Sequence, residues 1–343
     1  MTEDELFKKI QDIVSKNPVI VLGSGASIGY GIASMSKLSE VLSDYFSTRT
    51  YSDAKSSDAV SVFLDNINTK KMGLEDALLD IQMPLPVEND IRDCVWNEIQ
   101  KEDIKVYERV VNGEILALSN LLDYMVYDRA DQIVNIVTTN YDRIAEYAVS
   151  QTNAYLNTCF SNKPIGTYDI TLQQCKTHPC YVGRVNVLKV HGSLDWFEND
   201  GKLFSFMNVR NAPNNYNPCI ITPGTNKYEK TSQLPYRDLI QKMDDVFKST
   251  SGFLCIGYGF NDIHVHPHLL SFSQKRKKPI LIVTKDITDA IQNNVINANT
   301  YPYIIISDNG GKGTLIHNSF DKVPLEINGK DYWHISGLLE IIK

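Results

Sequence analysis

The chain predicts an α/β protein with a Rossmann-like, mostly parallel sheet, helices on both faces and an inserted helical subdomain. Three observations predict it. Short, wholly apolar runs such as Val19–Leu22 and Phe253–Ile256 read as strands buried on both faces. Segments of helical apolar spacing alternate with these runs. Four strands are followed directly by polar or glycine-rich clusters at residues 23–27, 138–142, 191–195 and 257–262, at the strand carboxyl ends where open α/β sheets bind ligands.

Taken in order, Thr2-Glu-Asp-Glu5 is a capping box, and Leu6, Ile10, Ile13 and Val14 recur at helical spacing behind it. Asn17-Pro18 ends that helix and launches the first strand, Val19–Leu22. The glycine loop Gly23-Ser-Gly-Ala-Ser27 follows, where a side chain at Gly23 or Gly25 would keep the backbone away from a phosphate. An amphipathic helix begins near Ser36 or Lys37, and the polar segment from Ser47 to Asp58 reads as an exposed loop. Apolar stripes from Val60 to Met125, with Pro84 and Pro86 breaking the run, give a helical subdomain over 59–129. Residues 1–58 and 130–343 then form the α/β domain.

Ile133–Val137 reads as the second strand, with a helix starting near Asp142. A strand over 185–190 ends at His191-Gly192. The stretch from Asp195 to Tyr236 is rich in Asn, Pro and Gly and reads as loops around a short strand at Cys219 to Ile221. Strands at Phe253–Ile256, Pro279–Val283, Tyr303–Ile306 and Thr314–Ile316 complete the sheet, and a helix over Tyr332–Ile342 closes the chain.

Composition narrows the function classes. With 343 residues, 43% hydrophobic and 22% charged, the chain is a folded globular protein. A net charge of −7 argues against a general nucleic-acid binder. No apolar run approaches membrane-spanning length and the N-terminus is acidic, so the expectation is a cytoplasmic protein without membrane contact. The six cysteines form no C-x-x-C pair and read as thiols. Cys175-Lys-Thr-His178-Pro-Cys180 fits no common zinc spacing, and His264-Val-His266-Pro-His268 lacks a companion carboxylate or cysteine. No metal is expected. Lys275-Arg-Lys-Lys278 reads as a solvated run, and Trp196 and Phe197 either wall a pocket or fill core.

The clusters together resemble the sirtuins. Gly23-Ser-Gly-Ala-Ser27 is similar to their Gly-Ala-Gly loop, and Gly31-Ile32 stands where they have Gly-Ile. Thr138-Thr-Asn140-Tyr-Asp142 is similar to their Thr-Gln-Asn-Ile-Asp, Lys189-Val-His191-Gly192 to the strand end carrying their catalytic histidine, and Gly257-Tyr-Gly259 to their Gly-Thr-Ser loop. Two departures narrow the match. Ala33-Ser-Met-Ser36 replaces Pro-Asp-Phe-Arg, and only Cys219 and Cys255 follow His191, too few for the family's zinc ribbon. Asn140-Tyr-Asp142, His191-Gly-Ser-Leu-Asp195, Thr222-Pro-Gly224 and Gly257-Tyr-Gly-Phe-Asn-Asp262 instead resemble sirtuin-like NAD hydrolases of bacterial antiphage defence, in which a helical insertion replaces the zinc module.

The resemblance implies NAD as substrate. It makes Asn140 and His191 the catalytic pair, and Gly23, Ser24, Gly25, Ala26, Ser27, Thr139, Asp142, Gly257 and Gly259 the NAD-binding residues. Chemistry agrees with those types: Asn140 offers donors and acceptors to a ribose hydroxyl and a water, and His191 titrates near neutrality and takes a proton. The resemblance further implies a homo-oligomer, or a partner such as an ATPase, that holds NAD loss in check. The alternatives are a deacylase or ADP-ribosyltransferase, and a non-enzymatic module binding NAD or ADP-ribose. Residue by residue, Asp142 can be a helix cap alone and His191 a core histidine.

Overall fold

The computed structural model describes residues 1–79, 81–126, 132–174, 180–207, 209–224 and 231–343. A nine-stranded sheet runs through it. Its strands are β1 (Val19–Leu22), β2 (Gln132–Thr138), β3 (Ala154–Asn157), β5 (Gly183–Lys189), β9 (Phe253–Ile256), β10 (Ile280–Val283), β11 (Tyr303–Asp308), β12 (Gly313–Asn318) and β13 (Leu325–Asn328). The order is β13-β12-β11-β10-β9-β1-β2-β5-β3, parallel from β11 to β3 and antiparallel at the β12–β13 edge. The Rossmann-like architecture is therefore present as expected.

Side chains of β1 alternate between two cores, Ile20 and Leu22 on one face, Val19 and Val21 on the other. The first face is covered by α1 (Glu3–Ser15), α3 (Met35–Thr48), α4 (Ala54–Asn68), α5 (Leu74–Leu79), α6 (Leu85–Val111), α7 (Ala117–Val126), α8 (Ile144–Ser150) and the last helix, Ile335–Ile342; α2 (Gly25–Ile28) is a single turn after β1. The second face is covered by helices Tyr236–Ser249 and His266–Arg276. The capping box is present, with Glu5 N donating to Thr2 Oγ1 at 3.3 Å and Thr2 N to Glu5 Oε2 at 2.9 Å.

Two expectations are corrected. The Ser47–Asp58 loop shrinks to a few residues, because α4 begins at Ala54 with Asp53 accepting from Ser56 N at 2.8 Å; a helix start written mostly in Lys, Ser and Asp mimics a loop. As expected, Pro84 and Pro86 fall at the break between α5 and α6, at the N-cap and in the first turn of α6, where a missing N–H costs nothing. The stretch from Asp195 carries a second, antiparallel sheet in the order β4-β7-β6-β8, formed by β4 (Ile165–Thr167), β6 (Gly192–Asn199), β7 (Lys202–Phe206) and β8 (Asn217–Ile220). Its hairpin turns at Asp200-Gly201, both at positive φ (50° and 74°), the pair a type I′ turn demands. Trp196 and Phe197 are buried, one in each core, and fill space there.

Topology explains the site. β5, β2, β1 and β9 lie side by side, so the clusters after them meet at one end of the sheet. Strand order reverses at β1, where the chain continues toward β2 on one side and β9 lies on the other. That reversal opens a crevice.

Gly192, the first residue of β6, has φ +91°, and a Cβ there would overlap the carbonyl of Cys219 and lie 3.0 Å from Ile220 Cα. Gly192→Ala is expected to cost at least about 2 kcal/mol through positive-φ strain and overpacking, read as a lower urea midpoint at unchanged slope; an unchanged midpoint would contradict the packing.

Candidate functional site

The crevice holds a cavity of about 550 Å3. Its floor is the strand carboxyl ends, supplying Gly23, Ser24, Ser27, Thr139, Asn140, Asp142, His191 and Gly259. The helical segment supplies an opposite wall with Gly73, Leu74, Glu75, Asp76 and Ile99. Eight of the eleven residues expected in the site thus line one cavity, with the two expected catalytic residues among them.

Gly25, Ala26 and Gly257 do not line it. The glycines meet each other: Gly25 N donates to Gly257 O at 3.0 Å, a Cβ on Gly25 would lie 2.8 Å from Gly257 Cα, and one on Gly257 would overlap Ala26 N. Ala26 packs against the core. The amides expected to face a pyrophosphate are committed within the fold. Gly23 N donates to Ile256 O, Ala26 N to Gly23 O and Ser27 N to Ser24 O. The glycines of this loop let two loops touch; close approach to a phosphate is not what their geometry requires.

Asn140 is locked in place. Its Nδ2 donates to Gly23 O at 2.9 Å and to Ser27 Oγ at 3.0 Å, and its backbone N donates to Thr138 Oγ1 at 3.0 Å. With both amide protons engaged, Oδ1 is the polar atom of this side chain left to an incoming hydroxyl or water. Asp142 combines two duties. Its Oδ1 accepts from Ile144 N at 3.2 Å, capping the turn into α8, while the residue lines the cavity. Burial raises the Asp142 carboxyl above the usual carboxylate range, against the pull of Lys189.

Two buried charges fix this loop from below and beside. Lys189, wholly buried on β5, donates from Nζ to Tyr141 O at 3.1 Å, to Asp142 O, and to Glu146 Oε1 at 3.0 Å. Asp103, wholly buried on α6, accepts from Arg143 N at 2.7 Å, Arg143 Nε at 2.9 Å and Tyr147 Oη at 2.6 Å. Trp96 Nε1, also from α6, donates to Leu194 O at 3.0 Å, and Leu194 N to Tyr141 O at 3.0 Å.

His191 is 4% exposed, and its carbonyl accepts from Ile221 N at 2.9 Å. Its Nε2 lies 3.2 Å from Asp262 Oδ2, and its ring stands 6.3 Å from that of His264, edge to face. Asp262, Glu75 and Asp76 are cavity residues that sequence reasoning left without a role. Asp262 stands inside the Gly257–Asp262 motif, but its partner is far away in the chain. Among the described lining residues the Asp, Glu, Lys and Arg types are all acidic: Glu75, Asp76, Asp142 and Asp262.

The other histidines hold structure. His266 Nδ1 lies 2.7 Å from Asp262 O, so it carries a proton there, and His268 Nδ1 lies 2.7 Å from Asp244 Oδ1. Among the described residues no group of three or more His, Cys, Asp or Glu is placed to hold a metal; Cys175 and His178 lie outside them. In the 275–278 run, Lys278 is buried, its Nζ donating to Phe247 O and Lys248 O. No described helix is long and apolar enough to cross a membrane.

A family model of the SIR2-like domain matches residues 134–301, a span containing Asn140, Asp142, His191, Gly257 and Asp262. Among solved structures, the chain is similar to a Sir2 homologue–NAD complex at 13% identity and TM-score 0.46, over 89% of this chain and 88% of that one. It is also similar to a Sir2 homologue mutant bound to 2′-O-acetyl-ADP-ribose, at 15% identity and TM-score 0.47, over 90% and 91%. No curated protein matches the chain.

Burial pushes the Glu146 carboxyl from an ordinary 4.5 up to about 7, against its pairing with Lys189. The folded state then holds this proton more tightly than the unfolded chain. Its contribution is complete below the unfolded value and is lost as pH rises through the folded one. Urea midpoints are expected to decline from about pH 5 to about pH 8, and Glu146→Gln to flatten that slope; an equal slope in the variant would exclude Glu146 as its source.

Proposed function

We propose that this protein is an NAD hydrolase that cleaves the nicotinamide–ribose bond to give nicotinamide and ADP-ribose. The observation that carries the reading is the convergence of Asn140, Asp142 and His191 with the glycine-loop residues Ser24 and Ser27 on one cavity. The SIR2-like match over residues 134–301 and the motif resemblance support it.

In this reading the carbon–nitrogen bond breaks with its electron pair going to nicotinamide, which leaves neutral. Positive charge passes to the ribose ring, an oxocarbenium-like state. The Asp262 carboxylate places negative charge in the cavity where that state forms, a form of stabilisation that strengthens as water is excluded. Asn140 Oδ1 orients the ribose hydroxyl or the attacking water. A water oxygen bonds to the anomeric carbon and gives up a proton, which His191 accepts. The neutral groups Ser24, Thr139 and Asn261 face the diphosphate, and Gly259 the adenosine ribose.

Constant NAD loss would be toxic, so the enzyme is held inactive until self-assembly or a separate sensor protein, such as an ATPase, releases it. The resemblance to defence hydrolases makes phage infection the trigger, in the cytoplasm.

Incubation with NAD across protein concentrations, with product separation, tests this. Nicotinamide and ADP-ribose are expected, with release falling by at least about 100-fold in Asn140→Ala and in His191→Ala. Equal turnover in both variants would remove the mechanism, and acyl-ADP-ribose formed with an acylated peptide would favour deacylation.

A further inference from the structure

A second cavity lies at the other end of the sheet from the crevice. It measures about 350 Å3 and forms where β11 begins and the antiparallel β12 ends. Ser319 N donates to Tyr303 O at 3.1 Å and Tyr303 N to Ser319 Oγ at 3.2 Å, which closes the sheet edge under it. Another wall comes from Gln292–Asn297, wound as a π-helix, a rare form that recurs at functional sites; it contributes Ile296. The loop after β12 is the rim. Asn318 holds that loop, its Oδ1 accepting from Phe320 N at 2.9 Å and from Asp321 N at 2.8 Å.

The lining is rich in donors, and several are unused. Tyr303 is 6% exposed, yet its hydroxyl makes no hydrogen bond among the described residues, and burial raises it above its ordinary value, so it stays protonated. Lys322 is exposed and, among the described residues, makes neither an ion pair nor a hydrogen bond. Lys9 stands over the Phe320 ring, Nζ 4.5 Å from the centroid, and brings a second positive charge to the rim. Asp321, the acid of this lining, is paired with the Met1 amino group at 3.1 Å. Positive charge therefore gathers here, in a chain whose net charge is −7. Half-buried His317 also lines the cavity; burial lowers its pKa, so the ring is uncharged near neutrality. Ile296, Pro324 and Phe320, the last 49% exposed, add apolar surface. We infer that this cavity binds a small organic anion, a carboxylate or phosphate carried on an apolar ring. Lys322 and the Tyr303 hydroxyl take the anionic oxygens, because a donor gains most from a charged acceptor. Ile296, Phe320 and Pro324 cover the ring. The inference stands apart from the NAD-hydrolase reading, since the crevice lies at the opposite strand ends.

The test uses the full chain labelled with 15N-histidine, without NAD, and titrates it with phenyl phosphate, with benzoate and with benzyl alcohol as the neutral counterpart. Proton–nitrogen correlation spectra report each imidazole, and the His317 signals are assigned by their absence in His317→Gln. At least one of the two anions is expected to move the His317 signals saturably, and the tighter of them identifies the headgroup as phosphate or carboxylate. Benzyl alcohol is expected to bind at least about tenfold more weakly. Lys322→Met removes the cation from an exposed position, and Tyr303→Phe keeps the ring while removing the hydroxyl. Each is expected to raise Kd for the bound anion at least about threefold, and the double variant about tenfold. Benzyl alcohol binding as tightly as the anions, undiminished binding in Lys322→Met, or no saturable change with any probe would overturn the assignment. A change confined to the His191 signals would overturn it as well, by putting the anion in the crevice.

Discussion

A lysine ammonium sealed from water holds the floor of the cavity. Lys189 reaches under the turn after β2 and takes the carbonyls of Tyr141 and Asp142, the first of them shared with Leu194 N. Burying a cation is costly unless every proton of the ammonium is used, and here two carbonyls and Glu146 use them. The arrangement constrains the neighbourhood in turn. Because Lys189 ends β5 two residues before His191, the strand that leads into the histidine also clamps the loop that presents Asn140. Relative placement of the two catalytic candidates is thereby built into one strand and one turn.

A second constraint acts across the crevice. The loops after β1 and β9 touch backbone to backbone through Gly25 and Gly257, with no room for a Cβ between them. That contact fixes where Asp262 can stand relative to the floor. The polar groups of the site are therefore held by main-chain bonds more than by their own packing, which suits groups that must face an open cavity.

Much of this was legible in the residues. Four apolar residues between Asn-Pro and a glycine mark β1, and the polar clusters after four strands mark the site, because strand ends are where an open sheet admits a ligand. Asn140, Asp142 and His191 were found that way. The reason for the glycines was not legible: that Gly25 packs on Gly257 follows from which strands neighbour each other, and pattern alone does not disclose pairing. The β6–β7 hairpin was hidden by polar residues such as Ser193, Asp195 and Asn199 on its strands, though Asp200-Gly201 is a hairpin signal in plain view. Asp262 was visible as a residue and opaque as a role, since its meaning comes from a partner on another strand. The same holds for Asp103, which reads as one more charge on a long amphipathic helix until Arg143 and Tyr147 are seen around it.

That last network has a consequence for how the molecule can change. The α6 helix, 27 residues and so about 40 Å long, hands its Asp103 to Arg143 and its Trp96 to the β6 backbone, and shares one core with the sheet. Excising the helices and closing the gap with a short linker would strand a guanidinium in an apolar interior and unroof the crevice. The helices and the sheet are consequently not interchangeable cassettes: transplanting either onto another scaffold requires carrying across the acid–base seam that joins them.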